Sequence, residues 1–194
     1  MASDAELIAR SLNGDDEAFV DLVARHEVAI GRYLSRRVGV AAAEDLLGDV
    51  WVAAFASRRT YDPAYADARP WLYTVALNRV RKHWRSLPPE DLVPDLTDLP
   101  GPSGYWDPWP AVETRVDTRA ALREALAGLR PDEREVLTLV AGEDLTAADA
   151  ARVLGIPAGT ARRLLHQARA TLRRSPPVAA LLAELNSVNV KDGE

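Results

Sequence analysis

Residues 145 to 174 constrain the chain most. They read Leu-Thr-Ala-Ala-Asp-Ala-Ala-Arg-Val-Leu-Gly-Ile-Pro-Ala-Gly-Thr-Ala-Arg-Arg-Leu-Leu-His-Gln-Ala-Arg-Ala-Thr-Leu-Arg-Arg. Thr146 and Asp149 have the spacing of a capping box, with Asp in the place of the usual Glu or Gln. They predict a helix start with Ala147, Ala150, Ala151 and Leu154 on its apolar face. Gly155 ends that helix, because glycine takes the left-handed conformation without a Cβ clash, and Pro157 pre-sets the backbone for a new first turn near Ala158. At about 100° per residue, Ala161, Leu165, Ala168 and Leu172 fall on one narrow stripe, the side to be buried. Arg162, Arg163, His166 and Arg173 point the other way. Two helices across a tight glycine turn, the second with a small-residue start and a cationic outer face, fit an element that enters a DNA major groove. A plain helical hairpin with a solvated basic face is the alternative that geometry alone leaves open.

The preceding run, Leu129-Arg-Pro-Asp-Glu-Arg-Glu-Val-Leu-Thr-Leu, together with this stretch and its Leu-Gly-Ile-Pro-Ala-Gly-Thr, resembles region 4 of bacterial sigma factors of the extracytoplasmic-function (group 4) type. The resemblance implies that the second helix meets a promoter −35 element through Thr160, Arg162, Arg163, His166, Gln167 and Arg173, and that the β flap of RNA polymerase is a partner. There is a departure. The family commonly has Gly-Thr-Val-Lys-Ser-Arg-Leu-Ser-Arg-Ala-Arg where this chain has Gly159-Thr-Ala-Arg-Arg-Leu-Leu-His-Gln-Ala-Arg169, so Leu164 and Gln167 replace two arginines. Leu164 flanks the apolar stripe and widens the core, and Arg163 restores part of the lost charge.

Toward the front, Asp4 to Asn13 predicts a short helix ended by Gly14, after which Asp15 caps a longer one. Phe19, Leu22, Val23, His26, Ile30, Tyr33 and Leu34 recur there at three- and four-residue steps as its core side. His26 lies on that side, and no His or Cys is spaced to share a metal with it, so it reads as a satisfied core imidazole. Gly39 breaks the chain. The next helix, Ala42 to Ser57, turns Leu46, Leu47, Val50, Ala54 and Phe55 inward and leaves Glu44, Asp45 and Asp49 outside. Its Glu-Asp-Leu-Leu-Gly-Asp-Val-Trp-Val-Ala-Ala-Phe is similar to sigma region 2.2, which implies docking on the clamp helices of the polymerase β′ subunit through Asp45, Asp49 and Trp51. Gly48 stands where the family usually has Gln, and a mid-helix glycine costs about 1 kcal/mol against alanine.

A loop from Arg58 to Arg69 leads to Pro70, which suits a first helical turn. The helix that follows carries Arg79, Arg81, Lys82 and Arg85 among aromatic residues and has no acid, a composition suited to phosphate contact and stacking on unpaired bases. Trp71-Leu-Tyr-Thr-Val-Ala-Leu-Asn resembles regions 2.3 and 2.4, which implies that Asn78, the four cations and the Tyr61, Tyr65 and Arg69 loop hold a melted −10 element. Trp71 itself reads as a core aromatic.

Charge distribution separates these modules. The chain carries −5 overall, but residues 1 to 87 are neutral, 88 to 114 carry −6, 115 to 175 carry +3 and 176 to 194 carry −2. Pro88 to Pro110 holds seven prolines and no cation, which predicts a linker, although Tyr105, Trp106 and Trp109 are unusual in one. The fold expected is all-α: a region 2-like domain over 1–87, an acidic Pro-rich linker over 88–114, a region 4-like helix-turn-helix domain over 115–175 with four helices (the first two Val112–Leu126 and Pro131–Val140), and a tail over 176–194 with a short amphipathic segment.

Function follows from the site residues rather than the fold. The chain lacks cysteine, and its three separated histidines form no catalytic or metal-binding constellation with a phosphate loop or nucleophile elbow, so neither an enzyme nor a cofactor is expected. No signal peptide or long apolar run appears, which predicts a cytoplasmic protein without membrane insertion. The reading is an alternative sigma factor that binds core RNA polymerase and promoter DNA, with an anti-sigma factor as a further implied partner. A stand-alone helix-turn-helix regulator would leave the front half unexplained. A sigma-derived interaction protein with reduced promoter binding is the other reading, resting on Leu164 and Gln167.

Overall fold

The computed structural model describes residues 2–86 and 124–176. The chain divides into two units, Met1–Trp106 and Asp107–Glu194. Among the described residues the regular structure is helical, with no strand.

Among the described residues the first unit contains four helices: α1 (Asp4–Leu12), α2 (Asp16–Val38), α3 (Val40–Ser57) and α4 (Arg69–Ser86), with a 3-10 turn at Arg58–Thr60. Each early boundary has a local cause. Ser3 and Glu6 form a capping box at the start of α1, Gly14 sits at φ +92° after its end, and the Asp15 carboxylate accepts the Ala18 N–H at 3.3 Å to begin α2. Gly39, at φ 80°, ends α2 and begins α3, two residues before the expected start. α2 is the central element and packs against the other three. Its Phe19, Leu22, Ile30, Tyr33 and Leu34 are buried, as are Leu46, Val50 and Ala54 of α3 and Leu72, Tyr73, Ala76, Leu77 and Val80 of α4. Tyr33 and Tyr73 stack edge to face at 5.1 Å. Phe55 departs from expectation: it stays partly exposed, with its ring edge-on to Phe19 at 5.1 Å and covered by the Arg58 guanidinium at 3.8 Å.

His26 is satisfied within the fold. Its Nε2 donates to Asp4 at 2.8 Å, and the same carboxylate accepts the Ala68 N–H at 2.9 Å and the Arg25 guanidinium at 2.5 Å. One buried carboxylate thus ties α1 to α2 and to the residue preceding α4. Burial alone would push this carboxyl up. The hydrogen bonds from His26 and Ala68, attraction to His26 and the Arg25 hydrogen bond outweigh it and hold Asp4 at about 2.

The second unit contains a helical end at residues 124–127, α5 (Pro131–Leu137) running into a π-helical turn (Thr138–Gly142), α6 (Ala147–Leu154) and α7 (Ala158–Arg174). Val112–Leu126 lies mostly outside the described residues, as do the linker and the amphipathic tail segment. The wide turn replaces the regular helix expected through Val140 and leaves both Leu139 and Leu145 buried. Leu129, Val136, Leu137, Ala151, Ala161, Leu164, Leu165 and Ala168 form one core, with Leu172 packed at its edge.

Candidate DNA and polymerase interfaces

α6 and α7 form the helix-turn-helix. At the start of α6, Thr146 Oγ1 accepts the Asp149 N–H at 3.1 Å, while Asp149 accepts the Thr146 N–H at 3.2 Å and its hydroxyl at 2.6 Å. Partial burial would raise the Asp149 carboxyl; the Thr146 hydroxyl and the Arg152 guanidinium outweigh that and lower it. Gly155 is left-handed at φ 69°, ψ 33°. Ile156 N–H then reaches the Ala151 carbonyl at 3.0 Å and Gly155 N–H the Arg152 carbonyl at 3.2 Å, the paired bonds of a Schellman stop. α7 begins directly after Pro157.

α7 buries Ala161, Leu164, Leu165 and Ala168. At 3% exposure Leu164 belongs to the core, so the arginine absent there is not a vacancy on the outer face. Arg162, Arg163, His166 and Arg173 are exposed as expected, while Thr160 and Gln167 are half-buried. Arg169 is also exposed and was not among the residues singled out. Steps of four, three and four along Arg162, His166, Arg169 and Arg173 would have found it, since they trace one line on a helix. Gln167 Oε1 accepts from Arg163 at 3.2 Å and from Arg130, at the start of α5, at 3.3 Å.

In the first unit, α3 has an outer face on which Asp45, Gly48, Asp49, Val52 and Ala56 fall at steps of three and four. All five are exposed, and Val52 is 71% accessible. Neither aspartate lies in the first turn, which holds no acid, so complementing the helix dipole does not account for them. Val52 was missed in the sequence, although its spacing of seven from Asp45 marks it. Trp51 lies about a third of a turn from Asp45 and is half-buried, with its ring edge-on to Phe19 at 6.4 Å and its Nε1 buried.

α4 carries Asn78, Arg81, Lys82 and Arg85 exposed, with Arg79 half-buried. Trp71, Asn78, Lys82 and Arg85 share one side of this helix. Trp71 is only half-buried rather than fully in the core, and its Nε1 donates to Thr60 Oγ1 at 3.3 Å. The loop before α4 is built by its own side chains. Tyr61 donates its hydroxyl to the Tyr65 carbonyl, Asp62 accepts the Ala64 N–H at 3.0 Å, and Asp67 accepts the Arg69 N–H at 2.8 Å and its guanidinium at 2.9 Å. Tyr61 therefore needs correction: at 7% exposure, with its ring 5.6 Å from Trp71, it shapes the loop instead of offering a face to DNA. Tyr65 is exposed, and Arg69 is held in its ion pair with Asp67.

Among the described residues, no group of three or more His, Cys, Asp or Glu side chains could hold a metal ion, and no helix is long and apolar enough to cross a membrane.

Two helical units with a helix-turn-helix in the second define the class to which comparison with known proteins points. Residues 22–87 match the family model for sigma-70 region 2, and residues 119–172 match that for sigma-70 region 4. The RNA polymerase sigma factor CnrH of Cupriavidus metallidurans is 30% identical over 178 residues, covering 88% of this chain and 92% of CnrH. The ECF RNA polymerase sigma factor BldN of Streptomyces coelicolor is 31% identical over 89% of this chain, which spans 65% of BldN. The solved structure of CnrH in complex with the cytosolic domain of CnrY shares 27% identity and superposes with a TM-score of 0.62, covering 93% of this chain and 97% of that one. The chain belongs to the extracytoplasmic-function sigma factors of the sigma-70 family. It is an alternative sigma factor, the kind of subunit that directs transcription initiation.

Proposed function

We propose that the chain docks on the β′ clamp helices of core RNA polymerase through the outer face of α3, holds the −10 element along α4 and its preceding loop, and reads the −35 element with α7. The observation that carries this reading is the sorting of charge by helix. α3 presents Asp45 and Asp49 around an exposed valine, a pattern suited to a basic partner with an apolar centre. α4 and α7 contain cations and no carboxylate. On α4, Asn78, Arg81, Lys82 and Arg85 take the phosphates and bases of a separated strand, with Tyr65 and Arg69 at the loop. On α7, Arg162 and Arg163 near the helix start reach base edges, His166 and Thr160 flank them, and Arg169 and Arg173 take phosphates. The β flap meets the second unit.

The burial of Leu164 favours this reading over a sigma-derived protein without promoter binding, because the substituted position serves the core. The setting is cytoplasmic, where polymerase works, and no catalysis is involved. CnrH was solved with the cytosolic domain of CnrY, and a regulator of that kind is proposed as a partner here. The test is co-purification with core polymerase followed by run-off transcription on genomic fragments. The Asp45→Lys/Asp49→Lys variant should lose core binding while keeping its helical melting curve. Retention of core binding by that variant would remove α3 from the interface.

A further inference from the structure

We infer that Gln167 positions arginines on the −35 face and does not read a base; this rests on the proposed −35 role of α7. Glutamine reads adenine in the major groove by pairing one acceptor and one donor with the base edge, using both ends of its amide. In this structure the acceptor end is engaged. Gln167 Oε1 accepts from Arg163 one turn earlier on α7 and from Arg130, 37 positions earlier at the start of α5. An amide oxygen has two lone pairs, and two guanidinium donors use both. Guanidiniums only donate, so they also fix which end of the amide faces them.

Arg130 is itself held in place. Its Nε donates to Glu133 at 3.0 Å, and the Glu133 carboxylate is buried and closes the α5 cap by accepting the Arg130 N–H at 3.2 Å. Glu133, Arg130, Gln167 and Arg163 thus form a chain of hydrogen bonds from the core to the exposed face. An arginine at 167 could not stand in this chain, because it has no acceptor and would set three guanidiniums together. The glutamine gives up one positive charge and in return aims Arg163 and brings Arg130 to the recognition helix. The remaining donors of both arginines are left for phosphate or guanine oxygens.

A positioning residue and a reading residue differ in what their loss does to sequence preference. The experiment uses the full chain assembled with core polymerase, on a promoter selected from genomic fragments and then randomised over its −35 element. Binding is scored for every base at every position. Gln167→Ala should weaken −35 binding by about three- to tenfold, as expected for hydrogen bonds to charged groups on a partly exposed surface. Any change in base preference should fall at the position that Arg163→Ala also relaxes, and no separate adenine preference should be lost. In a double-mutant cycle, Arg163→Ala should cost less in the Gln167→Ala background than in the original chain. Arg130→Ala should behave in the same way, and Arg130→Lys, which keeps a cation for Glu133, guards against a folding defect. Loss of preference for adenine at one position in Gln167→Ala, or fully additive costs in both cycles, would overturn the inference. If the unsubstituted holoenzyme shows no −35 preference, the −35 role of α7 fails first, and the inference goes with it.

Discussion

Replacing Asp4 should unfasten the first unit, and the size of the effect follows from its contacts. The carboxylate is 4% exposed and accepts three hydrogen bonds, from His26, the Ala68 N–H and Arg25. Its ionisation is shifted from 3.8 to about 2. At 1.36 kcal/mol per unit, that shift corresponds to roughly 2 kcal/mol of folding free energy. The sign is fixed by the direction. A depressed folded-state value means that the stabilisation is fully present above about pH 4 and is lost as the pH falls from about 4 towards 2. Alanine also strands the Ala68 N–H and the buried His26 ring, so Asp4→Ala should cost about 3–5 kcal/mol, the range for breaking a buried charged pair. Asparagine keeps one acceptor and turns a donor against His26 or Arg25, and should cost somewhat less. The assay is urea-dependent hydrogen exchange of α2 and α4 amides in the full chain, which reports the first unit alone. Between pH 4 and 2 the original chain should lose roughly 2 kcal/mol more than Asp4→Asn. Glu6 and Asp15, also shifted down, are common to both proteins and cancel in the difference. Equal acid slopes in the two proteins, or a cost below about 0.5 kcal/mol for Asp4→Ala at pH 7, would refute the reasoning.

Two further outcomes are expected. Gly48 lies mid-helix with nothing within 4 Å of a Cβ built there, so Gly48→Ala should stabilise the first unit by up to about 1 kcal/mol; an unchanged or lowered melting temperature would show a hidden constraint on that face. Neutralising Glu90, Asp91, Asp95, Asp98 and Asp107 should tighten binding of the free chain to duplex DNA at low salt, since tethered carboxylates compete for the same arginines at an effective concentration near the millimolar range. A titration giving equal affinities for the two proteins would assign that charge another role.

What was legible in the sequence was what local chemistry decides. The Thr146–Asp149 box, the left-handed Gly155, the Pro157 start, the Gly14 and Gly39 breaks and the Asp15 cap all act within a few residues, and each boundary lies where those residues put it, to within two positions at α3. The side taken by Leu164 was legible for the same reason, being a matter of angle about one helix. Contacts across long sequence separations were not. Tyr61 looked like a loop aromatic until its ring met Trp71, and Trp51 looked like part of the acidic face until it met Phe19. The bond from Arg130 to Gln167 spans 37 positions and has no periodic trace. The π-helical turn at Thr138–Gly142 falls in this class too, since the need to bury both Leu139 and Leu145 arises only with the packed core.

A chain of net charge −5 can still present cationic faces suited to DNA because charge acts over short range. At physiological ionic strength a surface charge is screened within about 8 Å, less than the width of a helix with its side chains. A bound phosphate therefore senses the helix beneath it and little of the remaining sum. α7 carries five cations and no carboxylate from Ala158 to Arg174, and α4 carries five and none from Arg69 to Ser86. α3 carries three acids and no cation from Val40 to Ser57. Each helix sorts one sign of charge to its outer side because its inner side is fully used by the core, as with Ala161, Leu165 and Ala168 on α7 and Val50 and Ala54 on α3. The sorting has a consequence for salt. Raising ionic strength should weaken the proposed contacts of α4 and α7 with phosphate more steeply than the proposed α3 interface, where exposed Val52 would contribute apolar area that salt does not screen.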